Sequence, residues 1–319
     1  MKNKQIQGLR GLSILFVVAT HFFLRYRLIY HEGFEQNKIF AQFSWIGVAC
    51  FLLISGYFME SGSKGFAFLK KRILNLWPRY FFAITIIFLV TRIVELPGRT
   101  VDLTGYLLNI PFINGFINEP YVDAAHWYLT TLVACIFWYF LLLKLDDKKR
   151  LIGYIIWIAV ITVLYILTDH IGGTVKDVLG IAENFLGGKY AAVIVLGTLL
   201  KRNERNVIYF ILAAVCLANS VVILGIVQTV EIVFCAGVVY LAGREKLRIL
   251  DNPVLLFVGE ISYSVYLLHQ NLGYIILRAM ETQFGYQEWM PLIAIVCGII
   301  IGYIFETVYK FIAKKIRHA

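Results

Sequence analysis

Long apolar runs alternate with short polar connections from one end of the chain to the other. Ten such runs fall near 9–30, 39–60, 76–94, 124–145, 151–168, 181–200, 206–227, 228–243, 253–277 and 290–312. Most approach the roughly 20 residues that a helix needs to cross a bilayer core. The pattern therefore predicts an all-α polytopic integral membrane protein of about ten transmembrane helices. Almost no polar connection separates the seventh and eighth runs, and the eighth is short and contains Glu231. A tilted, re-entrant or buried segment stays open there. The first run is long and lacks a small-residue cleavage site behind it, unlike a cleavable signal peptide. The connection 95–123, with "LPGRT" and "NIPFINGFINEPY", is too polar to span and too long for a simple turn. It is expected to shape an external entrance. With no internal repeat and no soluble segment, residues 1–319 read as a single integral membrane domain.

Composition agrees with the pattern: 60% of residues are hydrophobic and 16% charged, against about 25% charged in soluble chains. A net charge of +10 would suit nucleic acid, but its placement argues for topology instead. Of 30 Lys and Arg, 22 lie at the two termini and in alternate connections, and most acidic loop residues share the opposite side with the other eight. Basic loops stay cytoplasmic, so both termini are expected inside, with no nucleic-acid partner. The partition also favours an even number of spans. Cys50, Cys135, Cys216, Cys235 and Cys297 all sit in apolar runs without paired spacing, which points to small buried hydrophobes and to no metal.

The first run carries an arginine and a histidine eleven residues apart, Arg10 and His21. At about 100° per residue the two share one helix face, about 16 Å apart along the axis. With Arg10 at the cytoplasmic boundary, His21 reaches the middle of the membrane or beyond. An ionisable group at that depth marks a functional site facing the bundle interior; a neutral histidine bonded between helices is the plainer reading. His126, in "DAAHWYLTTL", begins the fourth span from outside, and His269 comes about 22 Å into the ninth, so both occupy the outer half. Ser262, Tyr266 and His269 follow an i, i+4, i+7 stripe. With His21 they predict a polar cavity open to the outside. On the cytoplasmic side "FLKKRILNLWPRYFF" gathers Lys70, Lys71, Arg72 and Arg79; Arg72 and Arg79 are seven apart, on one face, and flank Pro78. They anchor the helix end, or they form a fork suited to phosphate. No P-loop, GxGxxG or HExxH motif is present.

These residues resemble the acyltransferase-3 family of integral membrane proteins, and the likeness covers nearly the whole chain. "LRGLSILFVVATH" is similar to its opening R-G…H motif, with ten residues between Arg10 and His21. "CFLLISGYFM" resembles its F-F-x-x-S-G-[FY] motif through Phe51, Ser55, Gly56 and Tyr57, with Leu52 replacing one Phe. "HWYLTTLVACIFWYF", containing Trp127 and Tyr128, resembles its W-[FY]-L segment, and "GEISYSVYLLH" its G-x-x-S-Y-x-x-Y-L-x-H segment. One departure stands out: the family's R-x-x-R-x-x-P reads Arg72-Ile-Leu-Asn75-Leu-Trp-Pro78 here. Arg79, one turn on, either restores the missing charge or leaves donor affinity altered.

The resemblance implies acyl-coenzyme A, most simply acetyl-CoA, as a donor co-substrate bound from the cytoplasm. It implies a carbohydrate or cell-envelope glycan as acceptor, with transfer to a hydroxyl by a multi-pass protein of the cell membrane. Arg10, Lys71, Arg72 and Arg79 are the expected donor-binding residues. His21 is the expected general base, contributing typically 10²–10⁴-fold, with a covalent acyl-histidine as the second possibility. Tyr128, Tyr266 and His269 are candidate oxyanion donors, and His126, Trp127 and Ser262 candidate acceptor-binding residues. Two other readings stay open. One is a proton-coupled transporter or flippase of a lipid-linked glycan, with His21 and Glu231 in a relay. The other is a membrane scaffold whose polar residues merely join helices.

Overall fold

The computed structural model describes residues 3–34, 45–62, 64–202 and 206–318. The expected start of the second run at 39 and three residues of the charge count, Lys2, Lys38 and Arg205, lie outside them. Among the described residues every regular element is a helix. The longer ones are α1 (Lys4–Tyr30), α2 (Ile46–Tyr57), α3 (Gly65–Ile93), α6 (Trp127–Leu142), α7 (Asp147–His170), α8 (Gly173–Phe185), α9 (Ala191–Lys201), α10 (Val207–Leu224), α11 (Ile226–Gly243), α12 (Pro253–Phe284) and α13 (Met290–His318). Two short helices, α4 (Leu103–Asn109) and α5 (Ile113–Phe116), order the long connection before α6.

Among the described residues seven helices are long and apolar enough to cross a membrane, or eight if α8 and α9 form one bent span. The chain is a multi-pass membrane protein. The short α2 is equally apolar, and α12 is long enough at 32 residues but buries Ser262, Ser264, His269, Gln270 and Asn271 along its length. A continuous helix over 181–200 is not what forms. The chain bends by 43° between α8 and α9, where Gly187 adopts φ +97° and a Cβ would lie 2.9 Å from the Cys135 sulfur. The seventh and eighth runs become two 18-residue helices joined at Gly225, also at positive φ (93°).

Local chemistry starts several helices. Asn3, Asp146 and Asn206 accept the N–H groups of Ile6, Lys149 and Tyr209 at 2.9–3.0 Å, and Asn252 caps α12 just before Pro253. Close packing then depends on missing side chains. A Cβ at Gly11 would sit 2.1 Å from the Leu255 carbonyl oxygen, and one at Gly56 only 1.8 Å from that of Ile194. These contacts clamp α1 on α12 and α2 on α9, the small-residue crossing common between membrane helices. All five cysteines are free.

Contacts sort the helix ends into two faces. On one, Asn3 donates to the Ala242 and Gly243 carbonyls at 3.2 Å, and Arg150 and Arg202 meet Glu60. On the other, Arg27 pairs with Glu288 at 2.9 Å, Tyr30 donates to Pro97 at 3.3 Å, and Asn271 donates to Val122 at 2.8 Å. The site lies between them.

Candidate active site

About two thirds of the way along α1 the winding widens into a single π-turn, His21–Arg25, a deviation often found at functional sites. The turn seats Phe22, fully buried, against Gly273 of α12, where a Cβ would meet the ring at 2.1 Å. This contact sets His21 beside His269. The Nδ1 of His21 lies 2.9 Å from Nε2 of His269, whose own Nδ1 lies 2.8 Å from the Tyr266 carbonyl oxygen. A carbonyl only accepts, so His269 Nδ1 carries a proton. In the neutral ring its Nε2 then accepts from His21 Nδ1–H, which leaves the lone pair of His21 on Nε2.

His21 borders a cavity of about 480 Å³ that runs among α1, α2, α3, α6, α12 and α13. The cavity joins His21 to Arg10, Arg72 and Arg79. The arginines differ in how their charge is met. Arg10 makes no hydrogen bond or ion pair among the described residues. Arg72 donates to the backbone carbonyls of Phe58 and of Met59, the latter at 3.3 Å. Arg79 is gripped by both oxygens of Glu306, at 3.0 and 3.1 Å, and Glu306 also accepts from Ser264 at 2.7 Å. Asn75 lines the same cavity. A second cavity of about 330 Å³ adjoins through Asn75 and Arg79 and adds Tyr309, Lys310 and Lys314.

The remaining candidates divide. Tyr128, Trp127, Ser262 and Tyr266 line the main cavity. The Tyr128 hydroxyl is 2.6 Å from Ser55 Oγ, a second hydroxyl on the cavity wall. Tyr266 donates to the Ala125 carbonyl at 2.5 Å and Ser262 to that of Gly259 at 2.9 Å, so both protons are committed. His269 stands behind His21, outside the lining, with both ring nitrogens engaged. His126 is also buried outside it, its Nε2 at 2.9 Å from the Leu267 carbonyl. Lys71 is exposed and lines neither cavity.

Sequence reasoning passed over Glu306 and Asp123. The signal for Glu306 was a lone acid inside the last apolar run, where burial demands a partner. Asp123 is 1% exposed and holds two backbone N–H groups, Ala125 at 3.0 Å and Asn271 at 2.9 Å. It thereby ties the start of α6 to α12 two residues beyond His269.

Comparison with known proteins adds one match. The acyltransferase-domain model of the acyltransferase-3 family covers residues 3–309. No curated protein and no solved structure matches the chain. That single match takes in both histidines, all the cavity arginines and Glu306, and the chain belongs to the acyltransferase-3 family of membrane acyltransferases.

Proposed function

We propose that this protein transfers an acyl group, acetyl in the simplest case, from cytoplasmic acyl-CoA to a hydroxyl of an extracytoplasmic carbohydrate or cell-envelope glycan. The reading takes residues 1–319 as one acyltransferase domain of the cell membrane, with ten crossings and both termini in the cytoplasm. The two-faced sorting of helix ends supports it, with the basic connections gathered on the face of Asn3 and Glu60. The donor's phosphates meet Arg10 and Arg72, and the basic second cavity beside Arg79, Lys310 and Lys314 extends that surface. Arg79 has its charge met by Glu306 and holds the wall in place, so it does not simply replace the arginine missing at Asn75. The pantetheine arm runs along the cavity and brings the thioester to His21.

The observation that carries the chemistry is the pair of hydrogen bonds from His21 through His269 to the Tyr266 carbonyl. It orients His21 with Nε2 as base. That nitrogen takes the acceptor hydroxyl proton as the oxygen attacks the thioester carbonyl. The oxyanion collapses, the C–S bond breaks, and the proton on His21 passes to the departing thiolate. His269 positions the base rather than donating to the oxyanion, and the Ser55–Tyr128 hydroxyl pair on the cavity wall, where Tyr128 also reaches the Phe51 carbonyl at 3.3 Å, supplies such a donor. Trp127 shapes the acceptor side. The low-dielectric surroundings exclude water that would hydrolyse the thioester.

The transporter reading needs His21 and Glu231 in one relay. The ring partner of His21 is His269, and Glu231 is buried on α11 away from the residues lining the cavity. The deciding experiment follows radiolabel from acetyl-CoA into glycan in membranes, with His21→Ala at matched abundance. Label entering glycan in the wild type alone supports the enzyme and its base. Equal transfer by both variants overturns the role of His21, and transfer by neither turns attention to another donor.

A further inference from the structure

Eight Lys and Arg lie outside the basic connections in the sequence: Arg25, Arg27, Lys38, Arg92, Arg99, Lys176, Lys189 and Arg278. Half of them converge on one place, directly beyond the histidine pair. Arg25 closes the π-turn that begins at His21. Arg99 lies over the Tyr274 ring at 4.8 Å, one turn past His269, and its NH1 is 3.5 Å from the Asn271 side-chain oxygen. Arg278 lies over the Tyr30 ring at 4.9 Å, and Arg27 over that of Tyr286 at 4.9 Å.

The carboxylates nearby are already committed. Glu288 pairs with Arg27 at 2.9 Å. Glu281 accepts from the Tyr26 hydroxyl and lies 2.8 Å from His31 Nε2. Asp123 is consumed by two backbone N–H groups. Among the described residues Arg25, Arg99 and Arg278 have no ion pair. Arg99 and Arg278 stand instead against tyrosine rings and Arg25 is exposed, which leaves N–H groups of all three to a ligand arriving from that side. Arg25 and Arg99 are also near enough to act electrostatically on His21. Topology gives no reason for such a concentration, because cations are disfavoured in short connections on the outer side.

We propose that Arg25, Arg99 and Arg278 form the anion subsite of the acceptor, so that the enzyme prefers a carbohydrate bearing a carboxylate or phosphate next to the hydroxyl it acylates. The subsite rests on the assignment of His21 as the base of an acyl transfer with an outside acceptor. Guanidinium groups bind either anion in two-point geometry, and the half-buried ring of Tyr30 offers apolar surface against which a sugar ring packs. The anion fixes the acceptor at its outer end, and the neighbouring hydroxyl reaches inward to His21.

The test measures binding to the purified full-length protein in nanodiscs by calorimetry. Three probes of equal length are compared: a uronate oligosaccharide, a phosphorylated oligosaccharide and an uncharged gluco-oligosaccharide. Acetyl-CoA binding is measured separately on each sample. The wild type is expected to bind one or both anionic probes at least about tenfold more tightly than the neutral one, the usual scale for a charge-assisted contact. Arg99→Gln with Arg278→Gln should remove that preference and leave acetyl-CoA binding unchanged, whereas Arg99→Lys with Arg278→Lys should keep much of it. Lys176→Gln, on the same face and exposed on α8, should keep all of it. Which anionic probe wins distinguishes carboxylate from phosphate. Equal binding of charged and neutral probes, or a preference that survives the double Gln variant, overturns the subsite. Failure of acetyl-CoA to bind the wild type overturns the donor assignment instead, and the probe comparison still decides the subsite.

Discussion

Two groups of arginines lie close together on the basic face and are treated in opposite ways. Around Glu60, Arg150 approaches at 3.0 Å and Arg202 at 2.7 Å, Tyr154 donates at 2.9 Å, and Arg202 also reaches Asp147 at 2.8 Å. All three central side chains are less than a fifth exposed. Next door, Arg72 bonds the carbonyls of Phe58 and Met59, immediately before Glu60, and Arg10 bonds nothing among the described residues. A charge taken from water needs a counter-charge or many dipoles. The first group has its counter-charges and joins α2, α7 and α9. The second faces a cavity whose carboxylates, Glu306 and Glu260, are already paired with Arg79 and Lys310, an arrangement that on the proposed reading is completed when an anion arrives. On the proposed reading compensation, more than charge, separates the arginines that hold the fold from those that bind.

The sharpest ways to break this contrast start at the far end of the cavity. His21→Ala should lower acyl transfer by about 10²–10⁴-fold, the contribution of a positioned base, measured as label transferred per folded molecule. On the proposed reading His269 acts through His21, so His269→Leu should cost about 10–10²-fold, whereas His269→Gln, whose carbonyl accepts from His21 Nδ1–H, should recover most of that. Equal damage by Leu and Gln would deny the orienting role. Arg10→Ala should raise the donor KM by about 10–10²-fold with a smaller change in kcat, as expected for loss of a charge-assisted contact to phosphate. An unchanged KM would mean that an uncompensated arginine is not a binding one. Arg79 is subtler, because Arg79→Ala also leaves the buried Glu306 carboxylate with only Ser264 and, at 3.5 Å, Lys310. The double variant Arg79→Ala, Glu306→Gln removes both charges, and its donor KM should stay within about threefold of wild type. A rise as large as that of Arg10→Ala would return Arg79 to the donor site.

Much of the scaffold was legible because bilayer crossing imposes a period and a length that a chain cannot hide. The runs at 76–94, 151–168 and 290–312 all became long apolar helices. The depth argument also worked for His21 and His269, since residue counts along two straight helices measure distance directly, and the two rings meet. It failed where the backbone departs from a straight helix. The π-turn after His21 and the bend at Gly187 depend on contacts with Gly273 and Cys135, more than 50 residues away in each case. Partner choice was invisible for the same reason. Arg79 looked like a free cation because Glu306 lies 227 residues further along, and His269 looked like a cavity group because the stripe with Tyr266 gives a face of the helix but not what covers it.

The smallest expected effect on catalysis is the most instructive. Glu60→Gln keeps the shape of the side chain but leaves Arg150 and Arg202 sharing a neutral acceptor, with Asp147 half-exposed as their remaining carboxylate. Breaking one partner of a largely buried pair is destabilising, here by about 1–3 kcal/mol given the residual exposure. Thermal unfolding in nanodiscs should therefore shift downward, while acyl transfer per folded molecule stays within about twofold and the donor KM does not move. Arg202→Gln should behave in the same way, since it unties the same joint from the other side. The opposite pattern, an unchanged melting temperature with a raised donor KM, would place the Glu60 group at the donor site. Compensation would then no longer distinguish the two sets of arginines, and the assignment of Arg10 and Arg72 would have to rest on their position along the cavity alone.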